Sequence, residues 1–159
     1  MNTATSIHQR LLECNKTLCT AESCTGGRIA ALITSVPGSS EYFRGGVVSY
    51  QTEIKETVLK VDAAIIDKYG VVSRETADAM RICACRLLKA DYAIAITGYA
   101  GPTGGTEADP VGTVYISVGT ESRGMTKRVV SQCQTRTEIQ DDVAQQALDL
   151  FNKYLEVDA

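Results

Sequence analysis

Apolar residues recur at helical spacing in some stretches of the chain and in short unbroken runs in others, and the two kinds alternate. Ile7, Leu11 and Leu12 share one side of a helix predicted over residues 6–15, and a strand is predicted over 17–22. From Gly26 onward, Ile29, Ala30, Leu32 and Ile33 carry helical periodicity until Pro37 and Gly38 end it. Residues 45–50 read as a second strand and 52–60 as a second short helix. Ala77, Met80, Ala84, Leu87 and Leu88 trace one face of a helix over 74–89, followed by a compact buried strand over 92–96. Residues 113–118 and 126–130 form two further strands, close enough for a hairpin about 121–124. Ile139, Val143, Ala147, Leu148, Phe151 and Leu155 then define a final amphipathic helix.

Strands separated by helical segments, with one late hairpin, predict a three-layer α/β/α sandwich: a mixed, mostly parallel sheet covered by helices on both faces. No repeat, low-complexity tract or linker interrupts the pattern, so residues 1–159 read as a single domain. In sheets of this kind ligands sit beyond the carboxyl ends of the strands, which directs attention to the strand-to-helix turns.

Composition narrows the chemistry. With 16 Lys and Arg against 19 Asp and Glu, the formal net charge is -3, which argues against nucleic acid or an anionic membrane as a partner. The first residues lack a basic segment followed by an apolar run, and no uncharged apolar stretch is long enough to cross a bilayer, so a cytoplasmic location is expected. In that reducing setting the six cysteines are expected to be thiols, mostly buried as small hydrophobes, and none of their spacings gives a C-x-x-C pair. The single histidine, His8, is expected to be an exposed bystander, so a Ser-His-Asp triad or a multi-histidine metal site would have to use it or do without.

Three turns carry candidate chemistry. In Thr20-Ala21-Glu22-Ser23-Cys24-Thr25-Gly26-Gly27, Ser23 stands at the mouth of a helix whose backbone N–H groups, unhindered at Gly26 and Gly27, can face an anion or a developing oxyanion. The plainer alternative is that Ser23 or Thr25 only caps the helix. In Ser49-Tyr50-Gln51-Thr52-Glu53-Ile54-Lys55, an N-cap at Thr52 puts Lys55 at the third helical position, against the helix dipole. A partly desolvated lysine there has its ammonium form destabilised toward the range of a general base; the alternative is a solvated helix charge. Tyr50 either orients that lysine or simply packs. The third stretch, residues 97–112, holds glycine at 98, 101, 104, 105 and 112, as expected of a loop wrapping a polar ligand such as a phosphate, or of a bland turn. It is neither a Walker A loop nor G-x-G-x-x-G.

A nucleophile without histidine points to a Ser-Lys arrangement, in which lysine deprotonates the serine and returns the proton to a leaving amine, chemistry suited to amide hydrolysis. Cys24 is an alternative nucleophile, but neighbouring side chains diverge, so only one of the two is expected to face the pocket.

Together these stretches resemble the C-terminal domain of the CinA (competence/damage-inducible) family, whose stand-alone members include the nicotinamide mononucleotide deamidase PncC. The similarity runs over about residues 18–155 and rests on the first turn, on Gly46-Val47-Val48-Ser49-Tyr50 with Lys55, on Gly70-Val71-Val72-Ser73, and on Thr97-Gly98 through Pro110-Val111-Gly112-Thr113-Val114. The resemblance implies hydrolysis of the carboxamide of nicotinamide mononucleotide to nicotinic acid mononucleotide and ammonia, with no metal or organic cofactor and a tendency to self-association. By position, Ser23 matches the family nucleophile, Lys55 and Tyr50 its proton-transfer pair, and Thr97 and Arg136 residues that place the substrate, the arginine suiting its phosphate. Thr25, Gly26, Gly27, Gly98, Gly101, Gly104 and Gly105 complete the expected substrate-binding set.

The sequence also departs from the family. Gln134-Thr135-Arg136 stands where Gly-Asp-Arg is common, Gln140 where arginine is frequent, Tyr99 where a smaller aliphatic residue is usual, and Thr52 where asparagine is common. The alteration on the phosphate side leaves a second expectation, a non-catalytic nucleotide-binding relative. The N-terminal domain that many CinA proteins carry is expected to be absent.

Overall fold

The structure is a computed structural model that describes residues 1–158. Its elements in order are α1 (Thr3–Cys14), β1 (Leu18–Glu22), α2 (Arg28–Thr34), a 3-10 turn (Ser39–Glu41), β2 (Phe43–Val48), α3 (Thr52–Thr57), α4 (Ala63–Tyr69), α5 (Arg74–Leu88), β3 (Tyr92–Gly98), β4 (Thr113–Gly119), β5 (Gly124–Val130) and α6 (Arg136–Asp158). The sheet order is β2-β1-β3-β4-β5, with β1 parallel to β2 and β3, and antiparallel pairings from β3 to β4 and β4 to β5. Only β4 runs against the others, so the sheet is mixed and mostly parallel.

The two cores follow from the alternation of side chains along the central strands. On β3, Ile94 and Ile96 join Ile7, Leu11, Ile29, Ile33 and the apolar stripe of α6 on one face. Ala93 and Ala95 join Met80, Ala84 and Cys85 of α5 on the other, together with Cys19 and Ala21 of β1. Small residues on that face let α5 lie close to the sheet. The hairpin falls where the pattern placed it, and the helices over 74–88 and 136–158 close the two faces.

Some boundaries differ. The second strand begins at Phe43 and ends at Val48, which leaves Ser49 and Tyr50 beyond the sheet rather than within it. Gly46 is required there, because a Cβ on it would lie 2.1 Å from the Thr20 hydroxyl of the adjacent strand. Helix α4 has no counterpart in the sequence reading; Asp62 caps it by accepting the Ala64 N–H at 2.9 Å.

Candidate active site

Ser23 follows the last residue of β1, between the ends of β2 and β3. Its N–H donates to the Ile96 carbonyl at 3.2 Å, while the Glu22 carbonyl accepts the Ser49 N–H at 2.8 Å. The Glu22 side chain turns back into α2. Its carboxylate accepts from the Thr25 hydroxyl at 2.6 Å and from the backbone N–H groups of Ile29 and Ala30 at 2.9 and 3.0 Å. Two of the helix N–H groups expected to face an anion are therefore taken by the chain's own carboxylate, and that of Arg28 by the Thr25 carbonyl at 3.2 Å. Thr25 is buried, Gly26 donates its N–H to the Ser23 carbonyl at 3.1 Å, and Gly27 caps α2 at φ 102°. None of the three lines the cleft; they make the turn.

Lys55, on α3, is fully buried. Its Nζ lies 2.9 Å from the Ser23 Oγ, 2.5 Å from the Ser49 carbonyl oxygen and 3.3 Å from that of Tyr50. Burial lowers its pKa to about 8. The N-cap of α3 is Gln51, not Thr52, which moves Lys55 one position deeper into the helix than expected. Desolvation, rather than the helix dipole, is thus what disfavours its charge. Both protonation states fit the surroundings: the ammonium donates to all three oxygens, and the neutral amine donates to two carbonyls and turns its lone pair to the Ser23 O–H.

Cys24 borders the same cleft as Ser23, against the expectation that only one of the two would, but its side chain is buried and desolvation pushes its thiol up to about 12, which keeps it protonated.

Above the pair lies a cleft of about 260 Å³ whose walls include Ser23, Tyr50, Val72, Gly98, Gly101 and Arg136. A larger groove of about 420 Å³ between β5 and α6 carries Lys127, Asp149 and Lys153 but no nucleophile paired with a base. Arg136 is the first residue of α6, a start fixed by Thr135, whose hydroxyl accepts the Glu138 N–H at 3.3 Å and donates to the Glu138 carboxylate at 2.6 Å. Thr135 thus does the capping work at the altered Gln134-Thr135-Arg136 stretch. The Arg136 guanidinium donates to the Gly101 carbonyl at 2.5 Å and to the Tyr50 hydroxyl at 2.6 Å, bridging the cleft mouth.

Tyr50 therefore divides its roles. Its backbone carbonyl meets Lys55, while its half-exposed ring and hydroxyl belong to Arg136. Thr97 is buried and donates its hydroxyl to the Val71 carbonyl at 3.0 Å, holding the 70–73 segment against the cleft rather than facing it. Gly98 packs on β4, where a Cβ would lie 2.4 Å from a Val114 methyl. Gly104 and Gly105 do not line the cleft; they shape the outer part of the loop. That loop is pinned by Asp109, which accepts from Arg128 Nε at 2.9 Å and from the Tyr115 hydroxyl at 3.1 Å. Val71, Val72, Tyr99, Ala100 and Thr103 line the cleft without having been singled out for chemistry. Tyr99, Ala100 and Thr103 lie within the 97–112 loop marked out by its glycines, and Val71 and Val72 within the quoted Gly70-Val71-Val72-Ser73 stretch.

His8 is half-buried rather than exposed, with Nδ1 3.1 Å from the Tyr42 hydroxyl, remote from this site. All six cysteines are free thiols, but only Cys19, Cys24 and Cys85 are buried, half of them rather than most; Cys83 and Cys133 are part-exposed and Cys14 is exposed. Among the described residues no group of three or more His, Cys, Asp or Glu side chains is arranged to hold a metal, and no helix is long and apolar enough to cross a membrane.

The five-stranded mixed sheet and its covering helices are shared with known proteins over nearly the whole chain. The CinA C-terminal domain family model matches residues 1–155, and the chain belongs to that family. A CinA-like protein of Prochlorococcus marinus (strain MED4) is 43% identical over 141 residues, covering 87% of this chain and 33% of that protein. A CinA-like protein of Shewanella denitrificans is 42% identical over 152 residues, covering 96% and 36%. The chain thus spans about a third of the curated relatives it matches. Among solved structures, a CinA superfamily protein of Klebsiella pneumoniae superposes with a TM-score of 0.92 at 31% identity, covering 99% of each chain. The competence/damage inducible protein CihA of Agrobacterium tumefaciens gives 0.91 at 33%, covering 97% of this chain and 93% of that one.

Proposed function

We propose that this chain is a metal-independent amidohydrolase that converts nicotinamide mononucleotide to nicotinic acid mononucleotide and ammonia. The observation that carries the reading is the 2.9 Å approach of a fully buried Lys55 amine, its pKa lowered to about 8, to the Ser23 hydroxyl. Neutral Lys55 takes the Ser23 proton as Oγ attacks the carboxamide carbon. Collapse of the tetrahedral intermediate breaks the C–N bond, and the proton passes from Lys55 to the departing ammonia. Water then attacks the resulting ester with Lys55 again as base, releasing the carboxylic acid and restoring Ser23. The Arg136 guanidinium suits the substrate phosphate, exchanging the Gly101 carbonyl and the Tyr50 hydroxyl for phosphate oxygens and freeing Tyr50 to act near the reacting amide.

Ammonia release from the mononucleotide tests this reading. Wild type is expected to turn over, while Ser23→Ala and Lys55→Met are inert; absence of release from wild type, or full release from Ser23→Ala, rejects it. The altered residues Gln134 and Gln140 favour one rival, a non-catalytic nucleotide-binding module. Thermal stabilisation by the mononucleotide without turnover would select that rival.

A further inference from the structure

The side-chain amide of Gln140, nearly buried on α6, donates from Nε2 to the carbonyl oxygen of Cys24 at 2.9 Å, joining residues far apart in sequence. We infer that Gln140 is a positioning residue for the nucleophile: it fixes the turn that presents Ser23 to Lys55, acting through the Cys24 carbonyl. This inference rests on the reading of Ser23 as nucleophile.

Ser23 and Lys55 are rooted in different elements, so the distance between Oγ and Nζ is only as fixed as the turn that carries Ser23. Lys55 is held at its tip by the Ser49 and Tyr50 carbonyls. On the amino side Ser23 is tied to β3 through the Ile96 carbonyl, and its own carbonyl accepts the Gly26 N–H within the turn. The next peptide, from Cys24 to Thr25, is where the chain leaves the sheet, and Gln140 holds its oxygen. Because that peptide unit is rigid and planar, fixing its oxygen also fixes the direction of the Thr25 N–H. The Cys24 side chain is sunk in the core with the α6 stripe, so the turn is held by its carbonyl and by its side chain. Arg136 lies one helical turn before Gln140 on the same face of α6, and it holds the Tyr50 and Gly101 walls of the cleft. One helix start therefore sets both the substrate side and the nucleophile side of the site.

The test compares Gln140→Leu, which removes the donor, with Gln140→Glu, which keeps the shape but donates only when its carboxyl is protonated. Gln145→Leu, on the exposed side of the same helix, is the control expected to match wild type. Two readouts are used: ammonia release from nicotinamide mononucleotide, and the rate at which diisopropyl fluorophosphate modifies Ser23, followed by intact mass, with fluoride displaced as Oγ attacks phosphorus. The Leu variant is expected to lose roughly ten- to a hundredfold in kcat with KM nearly unchanged, and a similar factor in the labelling rate. For the Glu variant, the ratio of its labelling rate to that of wild type rises as pH falls and the carboxyl gains its proton, a trend that a general loss of packing would not give.

Wild-type labelling without ammonia release would reject the proposed substrate while leaving the positioning role to be decided by the labelling rates. Equal rates for wild type and Gln140→Leu, or a pH-independent ratio for Gln140→Glu, would overturn the positioning role. Should Gln140→Leu fail to fold, the Glu variant's pH trend decides alone. Absence of both labelling and ammonia release in wild type overturns the nucleophile assignment and this inference with it.

Discussion

The hydroxyl of Tyr50 lies 2.6 Å from the guanidinium of Arg136, while the backbone carbonyl of the same tyrosine faces the Lys55 amine. A single residue thus connects the arginine at the mouth of the cleft with the buried lysine beneath it. In the proposed reaction a substrate phosphate would take the arginine and release the ring, linking phosphate recognition and the freedom of Tyr50 through one hydrogen bond.

Replacing Arg136 with alanine is expected to raise KM for nicotinamide mononucleotide by roughly ten- to a hundredfold, the value of one or two charge-assisted hydrogen bonds. Nicotinamide riboside, which lacks the phosphate, should show little change. Steady-state kinetics on the pair of substrates checks this; an equal loss on both would place the phosphate elsewhere.

Activity should rise with pH as Lys55 loses its proton. With the pKa lowered to about 8, kcat/KM is expected to fall about tenfold per unit below that value and to level off above it. A pH–rate profile on wild type measures the inflection directly, and Lys55→Met should remove it together with the activity.

The same ionisation appears in stability. Lys55 has an ordinary pKa near 10.4 in the unfolded chain and about 8 in the folded one, so between these values the unfolded state binds more protons. Wild-type stability therefore rises with pH across that window relative to Lys55→Met, by about 3 kcal/mol in all, and the penalty is fully present below pH 8. Urea unfolding of both proteins at pH 7, 9 and 10.5 isolates the effect, because groups common to the two cancel in the difference.

Glu22 holds α2 in place from beneath Ser23. Glu22→Ala leaves the Ile29 and Ala30 N–H groups and the Thr25 hydroxyl without their acceptor, and a loss of about 3 kcal/mol is expected. Denaturant midpoints check the stability, and Ser23 labelling reports whether the turn survives. Were the midpoint unchanged, the carboxylate would not be the cap.

The sequence was informative where burial imposes a period. The faces of α5 and α6, the unbroken apolar run of β3 and the β4–β5 hairpin each bury a continuous side, and their patterns show it. Helix α4 was illegible because Ala63 and Ala64 are exposed and only Ile66 is fully buried, so no periodic face exists to be read. At the site, strand-to-helix turns drew attention to Ser23 and Lys55, whose side chains the fold brings to 2.9 Å. The sequence could not separate the two ends of Tyr50, since a residue's carbonyl and side chain share one position. Nor could it distinguish Gly101, which borders the cleft, from Gly104 and Gly105, which do not, because all three take a positive φ. The partner of Gln140 was hidden for a different reason: no local rule joins it to a carbonyl 116 residues away.

The unequal faces of β3 also determine where this domain tolerates change. Ala93 and Ala95 leave α5 no slack, so a larger residue at either position would displace the strand that tethers Ser23 through Ile96 and supports the 70–73 segment through Thr97. Ile94 and Ile96 face a deeper layer that can exchange one branched side chain for another at modest cost. Libraries aimed at new substrates would therefore keep the alanines fixed and draw their variation from the cleft rim and the isoleucine side.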